Sequence, residues 1–361
     1  MDLLKTLCSI PTAPFAERRV VKFVEDFVAK RKELSLRRDK SGNLLIERKS
    51  TSRHPRWVFT AHMDHPGFVA GPMLGPKRLS ADFRGWVKID FVRGARVRFF
   101  DDQGEIPGIV AHAKAVSYDH LNVPGKVIVR VDRPVAPGSP GMFDQGPGRY
   151  AGKKFLSRVC DDLAGAAACL QMLDRLSQTK PRCPVAVLLT RAEEEGFIGC
   201  VAVCENQSLL KKSDRVIAIE CSAVQPFAPQ GDGVILRVGD KASIFNSSLT
   251  YFMAQQADNL AKKRKTFRWQ RALMPGGTCE ATVYDIFGYT AASLCVPLGN
   301  YHNMDTKRGK IGPEFIDLSD WKNMVELFVQ LALHGHEYQP GHADLKKRIL
   351  GRYRKLKGLL R

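Results

Sequence analysis

Apolar residues recur along the chain in two patterns, as short unbroken runs and as longer stretches of helical spacing. The short runs have strand length, and four of them lie at 57–61, 185–190, 216–219 and 291–297. The longer stretches repeat apolar positions every three or four residues and predict helices at 17–30, 162–176, 248–262 and 318–333. Because strands and helices alternate, the pattern predicts an α/β domain.

The segment between about residues 67 and 155 departs from this alternation. Glycine and proline recur there, short alternating segments appear, and long helical patterns are absent. We therefore predict that residues 1–67 and 156–345 form the α/β domain and that a small all-β domain at 68–155 is inserted into it. Residues 346–361 form a basic C-terminal tail.

Most of the apolar runs stop at acidic or histidine residues, and the resulting candidate set is His62, Asp64, Asp161, Glu193, Glu194, Glu220 and His302. In open α/β sheets, ligands bind beyond the carboxyl ends of the strands. The set therefore predicts one site. Two imidazoles and several carboxylates form a mixed nitrogen and oxygen ligand set that holds zinc, manganese or cobalt.

Each of these residues also has a structural interpretation when it is taken alone. Asp161 or Asp162 would serve as the N-cap of the helix predicted at 162–176, and Glu193–Glu195 would form an acidic first helical turn. A histidine at a strand end is often structural, and Glu220 alone would be an exposed carboxylate. Their joint order favours the single site, because independent structural roles would produce that order only by coincidence.

Composition indicates an ordinary globular enzyme. The 361 residues are 44% apolar and 26% charged, which does not favour disorder. The nine cysteines are scattered and form no Cys-x-x-Cys pair, so we expect neither a disulfide framework nor a thiolate zinc site, and we expect a cytoplasmic location. The N-terminal segment does not resemble a signal peptide, and no run of 18 apolar residues predicts a membrane span.

The formal net charge of +19, from 56 basic and 37 acidic residues, is the unusual bulk property. Part of it lies in a basic block at 262–271, where Phe267 and Trp269 are interleaved, and part in the tail at 346–361. One interpretation is a solvated helix face and a solvated tail. The other is contact with nucleic acid or with an anionic surface.

Six short segments carry a further signal, and they are 61–68 (AHMDHPGF), 160–165 (CDDLAG), 193–199 (EEEGFIG), 217–222 (IAIECS), 276–278 (GGT) and 297–302 (PLGNYH). In this order they resemble the motifs of the tetrahedral (TET) and glutamyl aminopeptidase family, also called cellulase-M-like, within the dinuclear zinc exopeptidases. The resemblance extends from about residue 5 to residue 335. It implies a mixed-sheet α/β/α domain with an inserted β domain.

The resemblance also implies a cofactor and its ligands. The cofactor would be two divalent metal ions, with zinc preferred and cobalt or manganese as alternatives. Asp161 would bridge the two ions, His62 and Glu220 would complete one, and Glu194 and His302 the other.

The remaining roles concern catalysis and substrate. Glu193 would act as general base, Asp64 would orient His62, and a cis peptide bond would precede Asp162. The implied activity is aminopeptidase hydrolysis of peptides by a two-metal-activated water, in a homo-oligomer of at least two subunits.

The sequence departs from the family pattern at several positions, namely His65, Pro66, Leu163, Cys279, Gly299 and Asn300, together with Glu220 where the family usually has aspartate. We expect the longer Glu220 side chain to shift an ion without removing it. The other positions line or support the substrate cleft, so the resemblance does not fix the preferred side chain.

Two further interpretations stay open at this stage. The same site could serve a related amidohydrolase, either a carboxypeptidase or an N-acyl amino acid deacylase. Alternatively, a non-catalytic protein of this fold could use its basic block and tail to hold an anionic partner. The ligand residues and Glu193 are all present, which favours an enzyme.

Overall fold

The computed structural model describes residues 2–118, 121–179 and 181–360. Met1 and Arg361, the outer ends of the predicted segments 1–67 and 346–361, lie outside the described residues, as do residues 119, 120 and 180. The α-helices are α1 (Leu3–Leu7), α2 (Arg18–Ala29), α3 (Ile89–Val92), α4 (Leu163–Leu176), α5 (Ile198–Asn206), α6 (Ser247–Lys263), α7 (Glu280–Ile286), α8 (Leu318–His334) and α9 (Ala343–Leu356).

The strands are β1 (Leu34–Arg38), β2 (Leu44–Arg48), β3 (Trp57–His62), β4 (Gly67–Gly75), β5 (Arg78–Arg84), β6 (Arg96–Asp101), β7 (Gly104–Tyr118), β8 (Leu121–Val131), β9 (Pro140–Phe143), β10 (Arg149–Ala151), β11 (Lys154–Ser157), β12 (Val185–Thr190), β13 (Arg215–Ala223), β14 (Val234–Gly239), β15 (Trp269–Leu273), β16 (Thr290–Leu298), β17 (Met304–Asp305), β18 (Lys310–Ile311) and β19 (Glu314–Asp317). Short 3₁₀ turns lie at Glu193–Glu195, Tyr301–Asn303, Gly335–Glu337, Pro340–His342 and Lys357–Leu360.

A mixed eight-stranded sheet with the order β1-β2-β12-β3-β13-β16-β14-β15 forms the centre of the molecule. Its four central strands, β12, β3, β13 and β16, are parallel, and antiparallel pairs join them to β2 on one side and β14 on the other. The carboxyl ends of the four parallel strands therefore meet at one edge. This sheet confirms the predicted mixed α/β class.

Both faces of the sheet are buried, as the unbroken apolar runs predict. In β3, Trp57, Phe59 and Ala61 pack into the core with residues of α1, α2, α4, α6 and α8. Val58 points the other way and packs with residues of α5 and α7. Side chains alternate across a strand, so a run that is apolar at every position fills two helical layers.

The segment that the sequence predicts as all-β contains a closed barrel with the strand order β4-β5-β8-β7-β6-β9. Its core is separate from that of the sheet and includes Phe68, Phe83, Phe99 and Phe143. Two later strands of the same segment, β10 and β11, join β19 in a three-stranded sheet instead. The division at residues 67 and 155 into a discontinuous catalytic domain and an inserted domain stays a proposal.

The structure differs from the expected elements at three places, and the first is the short helix α3, which lies within the segment predicted as all-β. The strand expected at 216–219 extends to Ala223, because β13 pairs with β16 along its whole length. The tail expected at 346–361 is helical over α9, although its side chains are largely exposed. Within the described ranges, no helix is long and apolar enough to cross a membrane.

Candidate metal centre and substrate cleft

The candidate residues gather at the carboxyl edge of the parallel strands. His62 is the last residue of β3, and Glu193 and Glu194 lie in the 3₁₀ turn that follows β12. The register pairs Thr190 with His62, so these two strands end side by side. Strand ends that lie in register bring distant parts of the sequence within reach of one ligand.

His62 is buried, and its ring contacts Asp64, the residue expected to orient it. Its Nδ1 lies 3.2 Å from the main-chain oxygen of Asp64 and 3.6 Å from Asp64 Oδ1. Nε2 is left facing the centre of the site, 3.5 Å from Asp161 Oδ1. A partner on one ring nitrogen fixes the direction in which the other nitrogen can bind a metal.

The Asp64 carboxylate has a second task. Its two oxygens accept hydrogen bonds from the backbone amides of Glu193 (3.0 Å) and Glu194 (3.1 Å). The buried Glu17 carboxylate supports the same turn, because its Oε1 accepts from the Ala192 amide at 3.0 Å. The three-glutamate turn is thus held by carboxylates on its amides, which leaves the glutamate side chains directed elsewhere.

Asp161 and Asp162 precede α4. The peptide bond between them is cis, as the family resemblance implies. Asp162 is the N-cap, since its Oδ1 accepts from the Gly165 amide at 3.2 Å. Of the two aspartates that the sequence offered as caps, Asp162 therefore makes the cap and Asp161 is available to the site.

Glu220 and His302 complete the group from two other elements. Glu220 lies inside β13 rather than at its end, and it is buried. His302 lies in the turn Tyr301–Asn303 with a φ of 53°, and its Nδ1 is 2.5 Å from the main-chain oxygen of Trp86. Because Trp86 follows the barrel strand β5, the barrel orients this imidazole.

Ligand-type atoms converge into overlapping groups, two of which share Asp161 and contain the expected ligands, while His62, Glu193 and Glu194 form another and Asp161, Asp162 and Cys221 a further one. One atom from each of His62, Asp161 and Glu220 lies within 4.8 Å of the other two, and the same holds for Asp161, Glu194 and His302. In the second group, His302 Nε2 is 3.2 Å from Glu194 Oε1 and 3.8 Å from Asp161 Oδ2. The arrangement is that of two adjacent ligand sets around one carboxylate.

The buried polar atoms of the cluster indicate that its residues fit divalent metal ions. Asp161 Oδ1, Glu194 Oε1 and His302 Nε2 are buried, and none of them makes a hydrogen bond of acceptable geometry, although His302 Nε2 and Glu194 Oε1 lie close together. An unsatisfied buried polar atom costs about 1–3 kcal/mol, so such atoms are uncommon unless something else satisfies them. Three of them within one mixed nitrogen and oxygen cluster are consistent with metal ligands.

The electrostatics of these side chains agree with this fit. Burial raises the pKa of the Glu220 carboxyl to about 8, and the charge of Asp161 adds to the rise. Burial also raises the pKa of Glu193 well above its usual value, and Glu220 and Glu194 add to that rise. Burial alone would lower the pKa of His302, but Glu194 and Asp161 outweigh it and raise the pKa to about 9. The crowded carboxylates favour positive charge, which a divalent cation supplies.

Sequence analysis missed Glu314, which holds two of the candidate ligands. Glu314 is buried, and its Oε2 accepts from the amides of Cys160 (2.6 Å) and Asp161 (3.1 Å). Its Oε1 accepts from the amide of His302 at 2.9 Å. A single glutamate before β-branched and aromatic residues carries no sequence signal for this role, because the contact joins segments that are far apart in sequence.

Some residues that depart from the family pattern support the backbone of the site, and others line its cavities. His65 is buried, with Nδ1 2.8 Å from the main-chain oxygen of Asp161 and Nε2 3.1 Å from Asn303 Oδ1. It therefore supports the backbone at Asp161. Gly299 permits close packing, since a Cβ there would lie 2.1 Å from the Phe315 ring.

The cluster opens into a cleft of about 620 Å³ between the sheet and the barrel. Trp86, Val87 and Val123 line the barrel side, and the turn 276–278 and Tyr301 line the opposite side. A side cavity of about 110 Å³ adjoins the cleft and shares Glu220 and the turn 276–278 with it. Arg237 and Cys279 line this side cavity.

An α/β sheet that presents histidine and carboxylate ligands at its carboxyl edge, beside a cleft, defines the class of metal-dependent hydrolases. Comparison with family models is more specific, because the M42 glutamyl aminopeptidase model matches residues 130–327. The chain belongs to the M42 glutamyl aminopeptidase family. It is a metal-dependent aminopeptidase, and this assignment favours the leading interpretation over a carboxypeptidase, a deacylase or a non-catalytic protein.

Solved structures show the same fold at low sequence identity. A TET aminopeptidase from the marine sediment archaeon Thaumarchaeota archaeon SCGC AB-539-E09 is 20% identical with a TM-score of 0.76, covering 92% of this chain and 96% of that one. Aminopeptidase APDkam598 from the archaeon Desulfurococcus kamchatkensis is also 20% identical, with a TM-score of 0.76 and coverage of 93% and 95%. The Pyrococcus horikoshii TET1 peptidase is 20% identical, with a TM-score of 0.74 and coverage of 91% and 98%. A search of curated proteins gives no match.

Replacement of Glu314 by glutamine tests its supporting role. The amide NH₂ group would face a backbone N–H wherever the Gln side chain is placed, so one of the hydrogen bonds to Asp161 or His302 is lost. We expect zinc affinity to fall about 10–100-fold, as for other residues that orient metal ligands. Competition with a chromogenic chelator measures it.

Asp320→Asn is the matched control, because Asp320 is also a buried carboxylate that accepts from two amides, those of Gly231 and Gly233, but it has no contact with the ligand cluster. An equal loss of zinc affinity in both variants, or wild-type affinity in Glu314→Gln, would contradict the assigned role.

Proposed function

We propose that this aminopeptidase uses two divalent metal ions bound by His62, Asp161, Glu194, Glu220 and His302. The observation that carries the proposal is the pair of ligand groups that share Asp161. Two ions held by a common carboxylate can act on both partners of a hydrolysis, the carbonyl and the water. We infer that both ions are zinc, since the donors are imidazole and carboxylate, and cobalt or manganese would suit the same donors.

Glu193 is the proposed general base. When bound, the ions polarise the scissile carbonyl and acidify the attacking water. Glu193 Oε2 lies 3.9 Å from His62 Nε2, beside the ligand cluster and on the wall of the cleft. Its carboxylate accepts the proton of the attacking water and then donates it to the leaving amine.

Asp64 is the proposed positioning residue. Asp64 contacts His62 and accepts hydrogen bonds from the amides of Glu193 and Glu194. It therefore fixes the relative positions of the proposed base Glu193 and of two proposed ligands, His62 and Glu194. This arrangement supports an indirect role in catalysis, through geometry rather than contact with substrate.

Glu193→Gln should retain the ions and lose activity. Removing a general base lowers kcat by about 10²–10⁴-fold, while the amide keeps the size of the side chain. Hydrolysis of aminoacyl-coumarin amides and of their N-acetylated counterparts, together with metal content, measures both effects.

Glu195→Gln is the neighbouring control, because Glu195 accepts from the Gly85 amide at 2.7 Å and a glutamine oxygen can do the same. Full activity of zinc-loaded Glu193→Gln would sink the assignment of the base. Cleavage of N-acetylated substrates would contradict a requirement for a free N-terminal amine.

We further propose a preference for acidic N-terminal residues, which the family description as glutamyl aminopeptidase also suggests. The support is Arg237, whose side chain lines the side cavity next to Glu220 and is only 3% exposed. Its Nε has no hydrogen-bond partner, and its guanidinium carbon lies 5.9 Å from the centroid of the Phe245 ring. A buried guanidinium with an unsatisfied N–H is a suitable partner for a carboxylate of the substrate.

Arg237→Met should change the preference and spare the chemistry. We expect kcat/KM for glutamyl and aspartyl coumarin amides to fall at least about tenfold, the size of one lost charge-assisted hydrogen bond. The leucyl substrate should change little and controls for folding and metal content in the same protein.

Arg237→Lys keeps the charge and should retain part of the preference. Equal losses on acidic and leucyl substrates would indicate a structural role and overturn the specificity proposal, while the metal-site proposal would stand.

We propose that the protein is a cytoplasmic homo-oligomer. The nine cysteines are all free and buried, which suits a reducing compartment. The structurally similar P. horikoshii TET1 peptidase assembles into a tetrahedron or a large octahedral shell. Light scattering of the purified protein measures its molar mass, and a monomeric mass across the accessible concentration range would refute the assembly.

A further inference from the structure

Helix α9 carries an apolar stripe that is half-buried at Leu345 and exposed along the rest of its length. Leu345, Ile349, Tyr353 and Leu356 recur at intervals of four, four and three residues, so they lie along one side of the helix. Ile349 is 58% exposed, Tyr353 54% and Leu356 43%. A stripe of this kind normally faces a core, and its exposure in a folded chain indicates an interaction surface.

The exposed surface continues beyond the helix. Leu359 and Leu360 lie in the turn Lys357–Leu360, and each is more than 80% exposed, at 82% and 81%. Exposed large apolar residues occur elsewhere at scattered positions, whereas residues 349–360 contain six of them, from Leu350 at 37% to Leu359 at 82%. The concentration distinguishes the end of the chain from the ordinary surface.

The start of α9 is held against α6. His342 Nε2 is 3.2 Å from Ser247 Oγ, its ring lies 5.4 Å from that of Tyr251, and the Gly341 amide donates to Ser248 Oγ at 3.1 Å. These contacts are made before the helix begins. The fold therefore sets where α9 starts but leaves its apolar stripe in solvent.

Cations border the stripe on both sides. Seen along the helix axis, Lys346 lies next to Tyr353 at one border of the stripe, and Arg348 and Arg352 lie next to Leu345 at the other border. Lys357, in the turn after the helix, extends the first border, and the remaining basic residues are Lys347, Arg354 and Lys355. Asp344 is the one acidic residue between 343 and 360. Apolar residues along one side with lysine and arginine at the borders are the pattern of helices that lie in a membrane interface.

The basic block of the sequence lies beside this helix. Lys262 and Arg271 line a surface cavity of about 560 Å³ together with Arg348 of α9, and the acidic side chains Asp258 and Glu337 line it too. The two concentrations of positive charge that are separate in sequence therefore meet on one side of the molecule. Their fields add, and they attract an anionic surface more strongly than either alone.

We propose that α9 docks this side of the protein on an anionic phospholipid surface. The apolar stripe would enter the acyl boundary while the bordering lysines and arginines contact the lipid phosphates. A second copy of the helix fits less well, because two strongly basic helices repel each other. Nucleic acid would take up the charge but would leave the apolar stripe exposed.

The test uses the full chain and vesicles of phosphatidylcholine, with and without added phosphatidylglycerol. Wild type should sediment with the anionic vesicles only, and added salt should weaken the binding. Ile349→Ser/Tyr353→Ser/Leu356→Ser should reduce partition onto anionic vesicles at least tenfold, with unchanged aminopeptidase activity as evidence of folding. Ile286→Ser is the matched control, since Ile286 is an exposed isoleucine on α7.

A charge variant, Lys346→Gln/Arg352→Gln/Lys357→Gln, should weaken the same binding while it keeps the stripe. Three results would overturn the proposal. They are no binding of wild type to anionic vesicles, undiminished binding by the serine variant, and a fall in molar mass of the serine variant, which would identify α9 as a contact between copies. Tight binding of duplex DNA by both wild type and the serine variant, without vesicle binding, would assign the surface to nucleic acid.

Discussion

Carboxylates that accept from backbone amides determine the shape of the metal centre. Glu314 fixes the amides of Asp161 and His302, and Asp64 fixes those of Glu193 and Glu194. Each bond joins a charged acceptor to a main-chain donor, which is stronger and more directional than a contact between two flexible side chains. The candidate ligands can therefore keep polar atoms without hydrogen-bond partners, because other groups hold the backbone from which they project.

Much of this fold could be predicted from the sequence, since unbroken apolar runs and helical spacing report burial directly. The strands at 57–61 and 185–190 and the helix at 318–333 follow from those patterns. The α9 helix is not predicted, because the dense basic run at 346–361 is interpreted as a solvated tail, although Leu345, Ile349, Tyr353 and Leu356 recur at helical spacing. The extension of β13 past Ile219 was hidden for another reason: it depends on pairing with β16, a contact that no local pattern records.

The residues of the candidate site also differ in how far the sequence predicts them. Its ligand residues could be proposed from the sequence because strand ends and motif order identify them together. Glu314 could not, since an isolated glutamate gives no indication of which amides it will reach. The position of Arg237 is similar, as a lone arginine in a strand is ordinarily a surface residue, and only its burial beside Glu220 distinguishes it.

The barrel is joined to the sheet at the site itself. The chain passes from Asp64 to the first barrel strand at Gly67 within three residues, and the main-chain oxygen of Trp86, just beyond β5, holds the His302 ring. A ligand-bearing strand and a ligand-orienting carbonyl are therefore both attached to the barrel. The barrel therefore cannot be exchanged freely. A shorter or foreign β domain inserted in its place would need a main-chain oxygen at the position of Trp86 to hold the His302 ring.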